Sequence, residues 1–222
     1  WRRAVEWYAS GASSLDPVFD ETLIAAALDL AAAGDAPTLV PTTRIDPGTR
    51  AALESAAPIY RRTFWPVHLA ANQRSQAGME RLLQGYQRPI QSLITRAYGV
   101  VWPRNGFPVH ICAYTNWAGA FSTRGPLILM SSVAPDLQGS LALETAFHES
   151  MHQWDDSMLR RLQSAAAAKR VAVDEGLTHA MIFYTAGEAV RRAVPGHVPY
   201  AEKNGVWARG QEPLRSALDA AA

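Results

Sequence analysis

Leu141-Ala142-Leu143-Glu144-Thr145-Ala146-Phe147-His148-Glu149-Ser150-Met151-His152-Gln153-Trp154 is the stretch from which the rest of the chain is read. Leu141, Leu143, Ala146, Phe147 and Met151 recur at threes and fours, which predicts a helix with a buried face. Within it stands the pattern HExxH. At about 100° per residue, His148 and His152 lie roughly 40° apart on one face, one turn above the other. Two imidazoles so placed hold one divalent ion at ~2.0–2.1 Å each. Glu149 is too offset to be a third ligand of the same kind, but it reaches a water on that ion as a general base. Two solvated histidines on an exposed helix are the plainer possibility. Phe147, Met151 and Trp154 stand against it, because they surround the pair with apolar surface.

A catalytic zinc site needs a third protein ligand and an open position. In the continuation HExxHxxGxxH, the glycine and third-histidine positions are held here by Asp155 and Met158. That variant is excluded. Asp155 and Asp156 stand close enough to orient a metal-bound imidazole, with a helix-face or turn role as the plainer expectation. Further on, Asp174-Glu175-Gly176-Leu177-Thr178-His179 opens a second helical pattern over about 171–192, with Val173, Leu177, Ala180, Met181 and Tyr184 in step. An antiparallel return of this helix brings Glu175 opposite the two histidines. His179 is one turn beyond Glu175 on the same face. It is expected as a supporting partner, a donor to an oxyanion, or a buried, satisfied histidine.

Upstream, the chain reads as helical to about residue 100. Asp16-Pro17 and Asp46-Pro47 are start signals. The first predicts a helix over Val18–Ala33 ending at Gly34, and the second a helix through Ala51–Ala57, before Pro58. From Val67 to Tyr98 apolar residues recur at threes and fours, with Gly99 as the stop. Val109–Tyr114 and Leu127–Met130 predict strands. Between them, the small residues Ala118, Gly119 and Ala120 suit an edge strand or a turn. Beyond Pro195-Gly196 a loop with His197 and Tyr200 leads to a short final helix. No linker or repeat divides the chain. The expectation is a single compact α+β domain over 1–222, with a mostly helical part at 1–100, a catalytic core at 101–195 holding a small mixed sheet, and a tail at 196–222.

Composition narrows the classes of function. The 222 residues carry 21 Lys+Arg against 20 Asp+Glu, a net charge of +1, so no electrostatic case exists for nucleic acid. No run approaches the ~18 apolar residues of a transmembrane helix. The single cysteine, Cys112, rules out multi-cysteine zinc sites and reads as a small buried hydrophobe. The compartment stays open, with a secreted or periplasmic location favoured over the cytoplasm.

His148-Glu149-Ser150-Met151-His152-Gln153-Trp154 and Asp174-Glu175-Gly176-Leu177 resemble the HExxHQW and NEGF motifs of the gluzincin metallopeptidases, in particular the aminopeptidase N-like group. The resemblance covers about residues 109–185. It implies a zincin-like fold, Zn2+ held by His148, His152 and Glu175, Glu149 as the catalytic base, and a peptide or protein substrate. It also implies an edge strand, here Ala118–Ser122, that pairs with substrate backbone. In related enzymes a Tyr or His beyond the glutamate ligand steadies the oxyanion, for which His197 and Tyr200 are the candidates by position. Ala118–Ser122 carries no carboxylate to hold a free amine, so a peptidase other than an aminopeptidase is expected. Two other readings share the motif: a metal-binding relative without peptidase activity, and a di-iron helical protein built on Glu149-x-x-His152.

Overall fold

The computed structural model describes residues 1–34, 36, 45–123, 127–174 and 176–221. They form an α+β protein, mostly helical, with one three-stranded mixed sheet. The described chain divides into two compact units that interleave in sequence. One comprises Trp1–Ser75 with Val109–Val133, the other Gln76–Pro108 with Ala134–Ala222.

The first unit opens with helices α1 (Arg2–Ala9), α2 (Glu21–Ala33) and α3 (Pro47–Thr63). Local chemistry sets their ends. Asp46 accepts from the Gly48 and Thr49 amides at 2.8 and 3.0 Å, and Pro47 follows as the first helical residue. The expected start at Asp16-Pro17 is displaced. Asp16 Oδ1 instead caps a turn through the Val18 amide, and Asp20 caps α2 through the Leu23 amide. The second expectation also moves, since α3 continues through Pro58 to Thr63. A proline removes only one intrahelical bond, and α3 packs along α1, which compensates. Helix α4 (Trp65–Tyr98) supplies residues to both units and ends at Gly99, whose φ of 59° suits glycine.

The sheet belongs to the first unit. Its strands are β1 (Val109–Cys112), β2 (Ala120–Ser122) and β3 (Ile128–Ser131), in the order β1-β3-β2. β3 is central, parallel to β1 with Val109 opposite Ile128, and antiparallel to β2 with Ala120 opposite Met130. Ile128 and Met130 are buried there, and Ser131 Oγ donates to the Ala113 carbonyl at 2.7 Å. The place expected for Ala118, Gly119 and Ala120 agrees with this: β2 is an edge strand, entered through Gly119.

The second unit holds α5 (Ser140–Met151), a 3-10 turn (His152–Trp154), α6 (Asp155–Lys169), α7 (Leu177–Ala193), α8 (Tyr200–Lys203) and α9 (Glu212–Ala221). Helix α7 begins six residues later than the periodicity from Val171 predicts. Arg170 takes a left-handed conformation at the end of α6, and residues 171–174 carry no helix. Ala180, Ala201 and Trp207 form a buried cluster with Phe183, Tyr184, Leu214 and Leu218, tying α8 and α9 to α7. Trp102, Phe107, Phe147 and Trp154 meet edge to face at 5.1–5.6 Å between ring centres, a favourable aromatic geometry that packs both ends of the HExxH segment.

Candidate metal centre

Helices α5 and α7 run antiparallel with matched stripes. Ser140, Glu144, His148 and His152 follow each other at intervals of four along α5 and its terminal turn, and His179, Phe183 and Gly187 do the same along α7. Contacts pair them in reverse order. Glu144 lies against Gly187, His148 against Phe183 with ring centres 4.4 Å apart, and both His148 and His152 against His179 at 5.2 and 5.3 Å. Gly187 allows this approach, because a β-carbon there would stand 3.1 Å from Glu144 Oε1 and 2.8 Å from Pro199 Cβ.

The result is a point on which three imidazoles converge. His148 Nε2 is 3.2 Å from His152 Nε2 and 3.3 Å from His179 Nε2, and one ligand atom from each residue lies within 4.8 Å of the others. Hydrogen bonding cannot account for the arrangement. A neutral Nε2 has either one proton or one lone pair, so it serves one neighbour and not both. A tetrahedral cation with bonds of ~2.0–2.1 Å requires nitrogens ~3.3–3.4 Å apart, which matches the two short separations. The three histidines therefore fit a metal ion. His148 is buried, His152 half-buried and His179 exposed. Water thus reaches the cluster at His179.

The surroundings set the protonation of each ring. Burial, then repulsion from His152 and His179, holds the His148 pKa well below its ordinary value of 6.5. Packing against its neighbours and the charge of His152 lower that of His179, against a weaker pull from Asp155. For His152, burial pulls downwards, but the Asp155 hydrogen bond and the charges of Glu149 and Asp155 outweigh it and raise the pKa. His152 Nδ1 stands 2.7 Å from Asp155 Oδ2, so its Nδ1–H donates to the carboxylate and its Nε2 lone pair is left facing the other rings. Of the two roles open to Asp155, this contact fits the orienting one. The signal was present as His-x-x-Asp, but only the 3-10 turn at His152–Trp154 brings the carboxylate under the ring.

Glu149 is buried, at 7% exposure, and its charge acts on the His152 ring. His179 differs from its expected supporting place, since its own Nε2 is among the converging atoms. Glu175, expected as the third ligand, lies outside the described residues. His197 does not match its expected role. Its ring is buried, with Nε2 2.6 Å from Glu144 Oε2 and Nδ1 2.8 Å from Ser140 Oγ, so neither nitrogen is left to meet an oxyanion. Tyr200 stacks its ring on Phe183, with centres 6.2 Å apart and planes within 15°, one ring removed from His148 and His179. Ala120 opens β2, with Ala118 and Gly119 in the turn before it, and all three belong to the other unit. Among the described residues no helix is long and apolar enough to cross a membrane. The chain matches no protein-family model, no curated protein and no solved structure.

Proposed function

We propose that this chain is a zinc-dependent peptidase of the zincin type, with His148, His152 and His179 as ligands and Glu149 as general base. The observation that carries the reading is the meeting of three imidazole nitrogens beside a buried glutamate. Zinc held there would polarise a carbonyl and make a water acidic near neutral pH. The rest is the work of the chain. Burial and repulsion from neighbouring imidazoles, above all His152, lower the pKa values of His148 and His179, so their lone pairs are available at neutral pH. Asp155 orients His152 and increases its basicity as a ligand. Glu149 accepts the proton of the attacking water at its carboxylate and returns it to the leaving amine. The exposed flank of His179 is the entrance for a substrate.

An endopeptidase or a peptidase of narrow specificity is the form of this reading, because the sequence has no counterpart of the GxMEN segment whose glutamate holds a free amine in the aminopeptidase N-like group. The gluzincin form of this reading takes its third ligand from Glu175 in place of His179. Elemental analysis of the purified chain, followed by metal-restored hydrolysis of a mixed peptide library, tests the proposal. About one zinc per chain and cleavage of N-terminally blocked peptides are expected. Iron in pairs would replace this reading with the di-iron one. Zinc without cleavage of any peptide would leave a binding protein.

A further inference from the structure

One turn before His148, a second polar cluster is sealed inside the same helix pair. Glu144 and His197 are 1% and 6% exposed, and the Glu144 carboxylate accepts from His197 Nε2–H at 2.6 Å and from the Tyr200 amide at 2.9 and 3.0 Å. Ser140 Oγ occupies the other ring nitrogen. Burying a charged group is costly unless it is fully hydrogen-bonded, and replacing such a pair by apolar residues is often neutral or stabilising. The cluster therefore calls for a reason beyond stability.

Its contacts lead to the metal centre. Glu144 holds the backbone of Tyr200. The Tyr200 ring stacks on Phe183, and Phe183 in turn lies 4.4 Å from the His148 ring and 4.7 Å from the His179 ring, between centres. Gly187 gives the cluster its room: Pro199 and Glu144 both occupy the space a β-carbon would take. The same residues thus set the spacing of α5 and α7 and the backing of two converging imidazoles.

We propose that Glu144 and His197 are positioning residues of the metal centre, a buried pair that sets, through Tyr200 and Phe183, where the His148 and His179 rings stand. The inference rests on the metal-centre reading above. It is tested by titrating the full chain with Co2+, whose visible spectrum reports ligand geometry, and following thermal unfolding in parallel. Glu144→Gln and Gly187→Ala should bind Co2+ about tenfold more weakly, at the lower end of the ~10–100-fold effect of groups behind metal ligands, with an altered spectrum. Ile94→Ala, which removes a fully buried side chain on α4, should lower the unfolding temperature and leave affinity and spectrum unchanged. Should the first two variants not fold, Tyr200→Ala removes the stacking ring and leaves the buried pair in place; it should weaken Co2+ binding in the same direction. Unchanged affinity and spectrum in the folded variants would overturn the positioning role. No Co2+ binding by the unaltered chain would overturn the metal centre itself, and the positioning role with it.

Discussion

Two histidine clusters lie one helical turn apart on α5, and they differ in how their nitrogens are used. At the Glu144 end, His197 is sealed from water and each ring nitrogen has one partner of opposite hydrogen-bonding character. At the His148 end, three Nε2 atoms face each other, and no assignment of protons satisfies His148 towards both neighbours. The first cluster is complete with the atoms of the chain alone. The second has the geometry that a cation would complete. A buried histidine is thus no sign of a site in itself; what distinguishes the two is whether the lone pairs are already occupied.

The largest effect that sharpens this contrast is expected at Glu149. Glu149→Gln should retain zinc and lose peptide hydrolysis by ~10²–10⁴-fold, the range for a general base. Metal content and turnover measured on the same preparation check it, and unchanged turnover would remove Glu149 from the mechanism. Next comes the third ligand. His179→Ala should weaken zinc binding by more than the ~10–100-fold of an indirect change, because a converging nitrogen is lost outright. Glu175→Ala is the companion measurement, and a larger loss there than in His179→Ala would give the third position to Glu175, as in the gluzincin form.

Asp155→Asn should have a smaller effect, about tenfold on zinc affinity, since it acts through the His152 ring. Its pH dependence is more informative. The carboxylates raise the His152 pKa, so protons compete with metal there, and affinity falls as pH drops through that raised value. Removing Asp155 should weaken binding at high pH yet move the acid limb of a zinc titration to lower pH. An acid limb that stays in place would separate Asp155 from the ligand. The smallest effect is on the metal-free chain. His148 and His179 have folded-state pKa values below the unfolded ~6.5, so the unfolded chain binds more protons. Their contribution is present above that value and lost as pH falls below it, with His152 opposing. The unfolding temperature of the metal-free chain should therefore drop on acidification below about pH 6.5.

Much of the architecture was legible in local patterns. The stops at Gly34 and Gly99, the cap at Asp46, the long helix to Tyr98 and the strands at Val109 and Ile128 each follow from a few neighbouring residues. The departures share a cause. The turn at Asp16, the continuation through Pro58 and the late start of α7 at Leu177 were decided by which neighbouring cap or packing surface competed with the local signal. The role of His197 was misplaced for the same reason, and the contacts of His179 and Asp155 were not legible, because each depends on a partner brought in by a turn or by a second helix.

By itself, the sequence determined that His148 and His152 share one face with Glu149 at its margin, because a four-residue spacing on a helix fixes their bearing wherever the helix lies. It also determined the near-even charge balance and the single cysteine, which rules out a zinc site built on several cysteines. Which residue meets the pair was decided only by tertiary structure. Twenty-seven positions separate His152 from His179, and no local rule spans a 3-10 turn, a helix and the segment before α7. The register of α7 on α5 closes that gap. Gly187 and Pro199 let Glu144 be enclosed at one end, and the antiparallel stripe then carries His179 to His148 at the other.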